Sequence, residues 1–294
     1  MRKFLYKAVK ALAVSFGRIV PDKIYISLRY WVVFHRKIDW MNPKSFSEKL
    51  QWLKVYNNQP NYSRLVDKIE VKDIVAEKIG ESHIIPTLFE CDDVKKIKFE
   101  LLPDIFVAKC SHDSGSIQIC NKNNPIGLKE SMISLKKSLR HSSYLAGREL
   151  VYKNVPHRIL VEPFIVDNSG YELKDYKFFS FDGTVRFFKI DFNRFTDHKA
   201  NYYDLDMNLL PFEEELIPSD PTQKFEKPQS FNDMVRFAEI LSAGIPFVRI
   251  DFYEVENKAL FGEMTFFPAC GFERIVPYEW DIKIGSWLNI EKLR

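Results

Sequence analysis

The sequence predicts an α+β protein: a helical N-terminal segment, a small α/β part, then two lobes that each combine antiparallel strands with a helix. Three observations predict it. Residues 104–120, DIFVAKCSHDSGSIQIC, read as strand, polar loop and strand, and the periodicity of 128–140, LKESMISLKKSLR, sets a helix over them. Residues 247–266 read as a second hairpin, with a helix at 230–243 before it. Between the two lies 157–183, an apolar strand that passes through a polar bend into a new one. With 294 residues, 46% of them apolar and 15% aromatic, the chain can bury a sizeable core and hold two or three subdomains.

The start, MRKFLYKAVKALAVSFG, has the outline of a signal peptide, but Lys7 and Lys10 break its apolar region and no small-residue cleavage site follows. It reads as a basic amphipathic helix. The first 40 residues hold nine Lys or Arg against Asp22 and Asp39, whereas the whole chain carries a net charge of only +3. Such a segment can lie on an anionic membrane surface or pack on the body of the protein, and the pattern leaves both open. No run of about 18 apolar residues crosses a bilayer. Cys91, Cys110, Cys120 and Cys270 show neither CxxC nor zinc spacing, which suits free thiols in a cytoplasmic protein. No HExxH, GxxxxGK or GxGxxG occurs, which excludes the commonest zinc-protease and glycine-loop nucleotide signatures. No nucleic-acid partner is expected. Residues 217–229, IPSDPTQKFEKPQ, read as a surface loop.

The 247–266 hairpin carries the strongest chemical signal. Ser230 is expected to cap the preceding helix, with Asp233 three positions on, and Gly244 and Pro246 stop it. FVRIDFYEV then alternates, placing Arg249, Asp251 and Tyr253 on one face. A turn of Glu256-Asn257-Lys258 centred on Asn257 sets Asp251 opposite Glu263 and Arg249 opposite Thr265. Opposed like charges destabilise a strand pair, so the two acids need a cation or a shared proton, unless both are simply solvated. Mg²⁺ suits such a pair, being held by one or two carboxylates together with phosphate oxygens.

A phosphate partner is available in the loop Ser111–Ser116, which sets Gly115 between Ser114 and Ser116 and follows Lys109; small residues can aim backbone N–H groups at phosphate. An ordinary hairpin is the competing reading. Likewise the segment from Glu162 through Asp175 and Lys177 can hold a base and a ribose, or be an inter-strand loop.

Taken together, Lys68 in VDKIEVKDIVAEKIG, Lys109 before its loop, LVEPFI, DYKFF, and VRIDF followed by GEMTF resemble the ATP-grasp fold, and within it the TupA-like family associated with teichuronopeptide and surface-polysaccharide synthesis. The resemblance spans roughly residues 40–290 and includes NPKSFSEKLQWLK. It implies two lobes clasping ATP with Mg²⁺. Lys68 and Lys109 would contact the phosphates or the adenine side, and Ser111, Ser114, Gly115 and Ser116 would close over the phosphates. Glu162, Phe164 and Ile165 would bind adenine, Asp175 the ribose, and Lys177 would face the phosphates. Asp251 and Glu263 would carry the metal. Arg249 would lie over the transferred phosphoryl group. Thr265 stands where many relatives place Asn, which leaves the number of metal ions open.

The implied activity is ADP-forming carboxylate–amine ligation through an acyl phosphate, on a small-molecule or lipid-linked glycan. Arg194, with Lys189 and Lys199, is expected on the substrate side, and His198 is a candidate base or a plain surface residue. Asp204-Leu205-Asp206 has the DxD form of many glycosyltransferases, or serves a turn. A sugar kinase of the same fold is the remaining alternative. The expected divisions are 1–60, 61–105, 106–165 for the central lobe and 166–294 for the C-terminal lobe.

Overall fold

The computed structural model describes residues 20–167, 173–193 and 196–294. The basic helix expected in the first residues and Arg194 lie outside them.

The elements run α1 (Asp22–Phe34), α2 (Phe46–Tyr56), α3 (Tyr62–Val66), α4 (Glu70–Ile79), β1 (Phe89–Cys91), β2 (Ile105–Cys110), β3 (Gln118–Asn121), α5 (Pro125–Ser138) and α6 (Ser143–Gly147), followed by β4 (Ile159–Pro163), β5 (Tyr176–Phe181), β6 (Thr184–Phe192), β7 (Lys199–Tyr203) and β8 (Glu213–Glu214), and end with α7 (Phe231–Ser242), β9 (Phe247–Val255), β10 (Lys258–Thr265), β11 (Ile275–Val276) and α8 (Tyr278–Trp287). A four-stranded antiparallel sheet in the order β1-β4-β2-β3 and a five-stranded one in the order β10-β9-β5-β6-β7 hold the site between them.

Helix α5 covers one face of the small sheet, as its periodicity predicts. Leu135, Leu128 and Met132 pack against Phe106, Ala108, Cys110, Cys120 and Val161. Strand alternation then turns Val107, Lys109 and Glu162 to the other face. In the large sheet, α7 lies on one face, where Phe231 meets the Phe178 and Phe188 rings at 5.6 and 5.1 Å. On the opposite face Phe46 of α2 and Trp287 of α8 cover Phe181, Phe187 and Phe247. The remainder of that face bears charged side chains beside its aromatic rings. Register sets Glu263, Asp251, Lys177, Lys189 and Tyr202 in one row across all five strands.

Two local expectations are corrected. Ser230 stands at the N-terminus of α7 without capping it; its N–H and hydroxyl both donate to Glu254 Oε2, at 2.8 and 2.6 Å. The carboxylate of a neighbouring strand outcompeted the helix for that hydroxyl. The hairpin turn is two residues, not three: Val255 pairs with Lys258, and Glu256 and Asn257 take φ of 52° and 62°. That turn alone would shift every later pair by one. A bulge at Gly262 restores the expected pairing, so Asp251 does face Glu263 and Arg249 does face Thr265. The bulge is tight: a Cβ on Gly262 would lie 3.0 Å from the Asp251 carbonyl oxygen and 3.1 Å from the Tyr253 ring. All four cysteines are free thiols, Cys110 and Cys120 among them.

Candidate active site

The two acids of the hairpin converge on a guanidinium. Arg249 Nε and Nη2 each donate to Asp251 at 2.7 Å, and Nη2 also reaches Glu263 Oε1 and Thr265 Oγ1, both at 3.1 Å. This answers the like-charge problem of the opposed carboxylates: a cation stands between them, and the cation is a side chain of the same face. Burial pushes Asp251 up to about 6, although Arg249 and Lys177 pull the other way. Glu263 is also subject to burial, yet Lys68 and Arg249 outweigh it and hold its carboxyl below the usual range.

Lys68 joins this hairpin to the serine/glycine loop. Its ammonium donates to the Asp113 carbonyl at 2.5 Å and lies 3.5 Å from Glu263 Oε2, and its backbone N–H donates to Ser111 O at 3.2 Å. The neighbouring Asp67, 1% exposed, fixes the segment by accepting from Arg158 Nη2 at 2.9 Å. Within the loop, Ser111 and Ser116 are spent on scaffold: Ser111 Oγ donates to Pro156 O, while Ser116 Oγ accepts from Cys110 N and donates to Asp113. Ser114 and Gly115 form the exposed tip, Gly115 at φ 97°, a conformation that suits glycine. His112 anchors the loop to the end of α5 through the Ser138 and His141 carbonyls, each 3.2 Å from Nε2.

On the small sheet, Glu162 is buried and held by two lysines: Lys109 Nζ and Lys72 Nζ each lie 2.6 Å from one of its oxygens. Burial alone would raise Glu162, but the two ammonium groups overcome it and its carboxyl falls below the ordinary range. Sequence reading missed Lys72. It lies four residues after Lys68 in the same segment, a spacing that sets two side chains on one helical face and was available as a signal. Beside this cluster Ile119, 59% exposed, faces Val107, and Phe164 and Ile165 follow β4 directly, which leaves an apolar surface next to the loop.

Lys177 stands opposite Asp251 in register and donates to Asp175 Oδ2 at 2.8 Å and to Asp191 Oδ2 at 2.7 Å. Asp191, also missed, gathers His198 Nε2 at 3.0 Å and Lys189 Nζ at 3.3 Å, and Lys189 reaches Glu214 at 2.9 Å. Lys199 instead pairs with Asp197 on the surface. Asp204 serves a turn: its oxygens accept from the backbone N–H groups of Asp206 and Asn208 and from the Asn208 amide. The Asp204 carboxylate is therefore taken up by the turn.

Asp251, Glu263 and Thr265 offer hard oxygen donors already oriented on a single cation, which fits Mg²⁺ once Arg249 cedes the place. Among the described residues no three His, Cys, Asp or Glu side chains gather into a metal cage, so an ion here would draw further oxygens from a ligand.

A lysine-flanked loop on one sheet and a two-carboxylate hairpin on the other, linked by Lys68, are the arrangement expected of an ATP-grasp protein. The family model for TupA-like ATP-grasp matches residues 48–289, and the chain belongs to that family. No curated protein matches it. Among solved structures it is similar to a D-alanine–D-alanine ligase from Bacillus anthracis, at 13% identity and TM-score 0.43, covering 78% of this chain and 69% of that one. It is also similar to the D-cycloserine synthetase DcsG, at 16% identity and TM-score 0.43, over 84% and 79% of the two chains. A third is the ATP-grasp ligase PsnB complexed with Mg and ADP, at 10% identity and TM-score 0.44, over 84% and 66%. Membership of the family rests on the match over residues 48–289.

Proposed function

We propose that the protein is an ATP-dependent carboxylate–amine ligase, forming ADP, that joins an amine or amino acid to a sugar acid of a bacterial surface glycan on the cytoplasmic side of the membrane. The observation that carries the reading is Lys68, one ammonium touching both the Asp113 carbonyl of the loop and Glu263 of the hairpin. A triphosphate extending from the loop toward the hairpin would meet that lysine midway.

In this reading a carboxylate oxygen of the substrate attacks the γ-phosphorus, the bond to the β-phosphate oxygen breaks, and ADP leaves. The amine then attacks the acyl carbon, phosphate departs, and the amine proton passes to solvent. Attack of one anion on another is opposed by repulsion, which the charges of Lys68, Arg249 and Lys109 offset, and positioning supplies much of the remaining acceleration. Mg²⁺ held by Asp251 and Glu263, with Thr265 beside them, would neutralise phosphate charge. The exposed tip at Ser114 and Gly115 would shield the acyl phosphate from water. Glu162, fixed by two lysines, sets the position of the base and leaves their positive excess to the phosphates. The glycan setting follows from the family's association.

The test is thermal unfolding with Mg²⁺ and ATP, beside Mg²⁺ and UDP-sugars, for the wild type and Glu263→Gln. Ligand at about a hundred times its Kd should add about 2.7 kcal/mol to the wild type with ATP, and that gain should require both the metal and Glu263. Stabilisation by a UDP-sugar alone would sink the reading. Amide formation alongside ADP release, in a screen of sugar acids with amines, then separates ligase from sugar kinase.

A further inference from the structure

Helix α1 turns an apolar line away from the body of the protein. Tyr25, Ile26, Tyr30 and Phe34 are buried, whereas Ile24, Leu28 and Trp31, at positions i, i+4 and i+7, are 53%, 57% and 54% exposed. Leu28 and Trp31 also line a groove of about 390 Å³ with Ser27, Lys37, Ile38 and Trp40. Trp40 is held beside the helix by donating to Ser27 Oγ at 3.0 Å, and Met41 next to it is 82% exposed. Single exposed apolar side chains are ordinary on a protein surface; a continuous line ending in a tryptophan-walled groove marks a contact surface.

The charge around the line says what kind of contact. Lys37 lines the groove and Lys23 sits 5.2 Å from the Trp40 ring. The nearby acids are engaged: Asp22 by Arg148 and the Tyr144 hydroxyl, Asp39 by the backbone N–H groups of Met41 and Asn42. The 19 residues that lead into this helix contribute Arg2, Lys3, Lys7, Lys10 and Arg18, with no acid among them. Two such faces brought together would repel, which argues against a second copy as occupant. An anionic surface would be attracted.

We propose that this face docks on an anionic lipid bilayer, with Ile24, Leu28 and Trp31 entering the headgroup boundary and Lys23 and Lys37 meeting lipid phosphates. Tryptophan and lysine suit that boundary, since each joins an apolar body to a polar tip. Apolar burial and the field of anionic lipids act together there, so neither need suffice alone. This inference stands apart from the catalytic reading and survives its failure.

The full-length chain is sedimented with vesicles of phosphatidylcholine and phosphatidylglycerol at 3:1 and with vesicles of phosphatidylcholine alone. We expect partition onto the anionic vesicles to exceed that onto neutral ones by about tenfold or more. The double variant Leu28→Asp/Trp31→Asp should lose about tenfold or more of it while its melting temperature holds within about 2 °C, because both side chains face outward. Trp31→Ser alone should move the same way by a smaller factor. Undiminished binding by these variants would overturn the proposal. So would a wild-type dimer in light scattering that the variants dissociate without any vesicle binding, which would assign the face to a second copy.

Discussion

The two sheets present opposite answers to one electrostatic problem. On the small sheet a single buried carboxylate, Glu162, faces two ammonium groups, those of Lys72 and Lys109, and the cluster is left with positive excess. On the large sheet two carboxylates, Asp251 and Glu263, share Arg249, with Lys68 at 3.5 Å as the link to the loop. Surplus cation on one wall suits phosphate oxygens, and surplus carboxylate on the other suits a metal ion. The pKa shifts depend on which cations reach each acid, and Glu263 is lowered by Lys68 and Arg249. Two lysines overcome burial at Glu162 and pull it down, while at Asp251 burial prevails over Arg249 and Lys177 and lifts it to about 6. What distinguishes the walls is the ratio of acid to base, since both use the same residue types.

The largest expected effect tests the small-sheet cluster. Glu162→Gln removes the one anion between two buried lysines and should cost about 3–5 kcal/mol in chemical denaturation. Glu263→Gln should cost about 1 kcal/mol or less, because its side chain keeps 30% of its exposure and Arg249 retains Asp251. Similar losses from the two would erase the distinction drawn here.

Asp251→Asn should remove the stabilisation of about 2.7 kcal/mol expected from Mg²⁺ and ATP at a hundredfold excess over Kd. Its pH dependence has a definite sign. Asp251 is raised from its ordinary value to about 6, so its contribution to folding stability is greatest below about pH 4 and is lost as pH rises through 6. Cation binding runs the other way, since it needs the ionised form. Affinity for Mg²⁺ with ATP should fall below pH 6, approaching about tenfold per pH unit, by calorimetry between pH 5 and 8. Asp251→Asn should show no such slope.

Gly262→Ala tests the bulge that brings the acids together. The added Cβ meets the Asp251 carbonyl at 3.0 Å and should cost about 1–3 kcal/mol, with a matching loss of ATP-dependent stabilisation if the register slips. A small effect of opposite sign belongs to Glu273, which burial and the neighbouring Glu214 raise to about 7. A raised carboxylate destabilises once ionised, so Glu273→Gln should stabilise by on the order of 1 kcal/mol at pH 8, with the gain fading as pH falls through 7 and absent below about 4.5. A gain that persists at pH 4 would point to packing instead.

Much of the fold was legible because local pattern controls it. The alternation of FVRIDFYEV separates Ile250 and Phe252 from Arg249 and Asp251, and Ile250 and Phe252 are fully buried. The spacing of 128–140 places a helix within a few residues of α5. The pairing of Asp251 with Glu263 was reached through a symmetric turn, and the molecule reaches it through a shorter turn and a compensating bulge; Gly262 within a strand was the available sign of the latter. The clamp on Glu162 was not legible, because Lys72, Lys109 and Glu162 come from three separate elements and meet only when α4 docks on the small sheet. Ser45 and Glu48 form a capping box at the start of α2, a signal present in the SFSE tetrapeptide.

By itself the sequence determined which residues alternate toward a core, which strands form hairpins, and the family to which residues 48–289 belong. Those properties depend on neighbours a few positions apart, or on a pattern of residue types along the chain. The tertiary structure decided the charge ratio on each wall, the seat of Arg249 between two acids, and the reach of Lys68 from loop to hairpin. These depend on side chains from distant positions, as where Lys68 lies 3.5 Å from Glu263, and the strength of charge at that range is set by burial, which only the folded chain supplies.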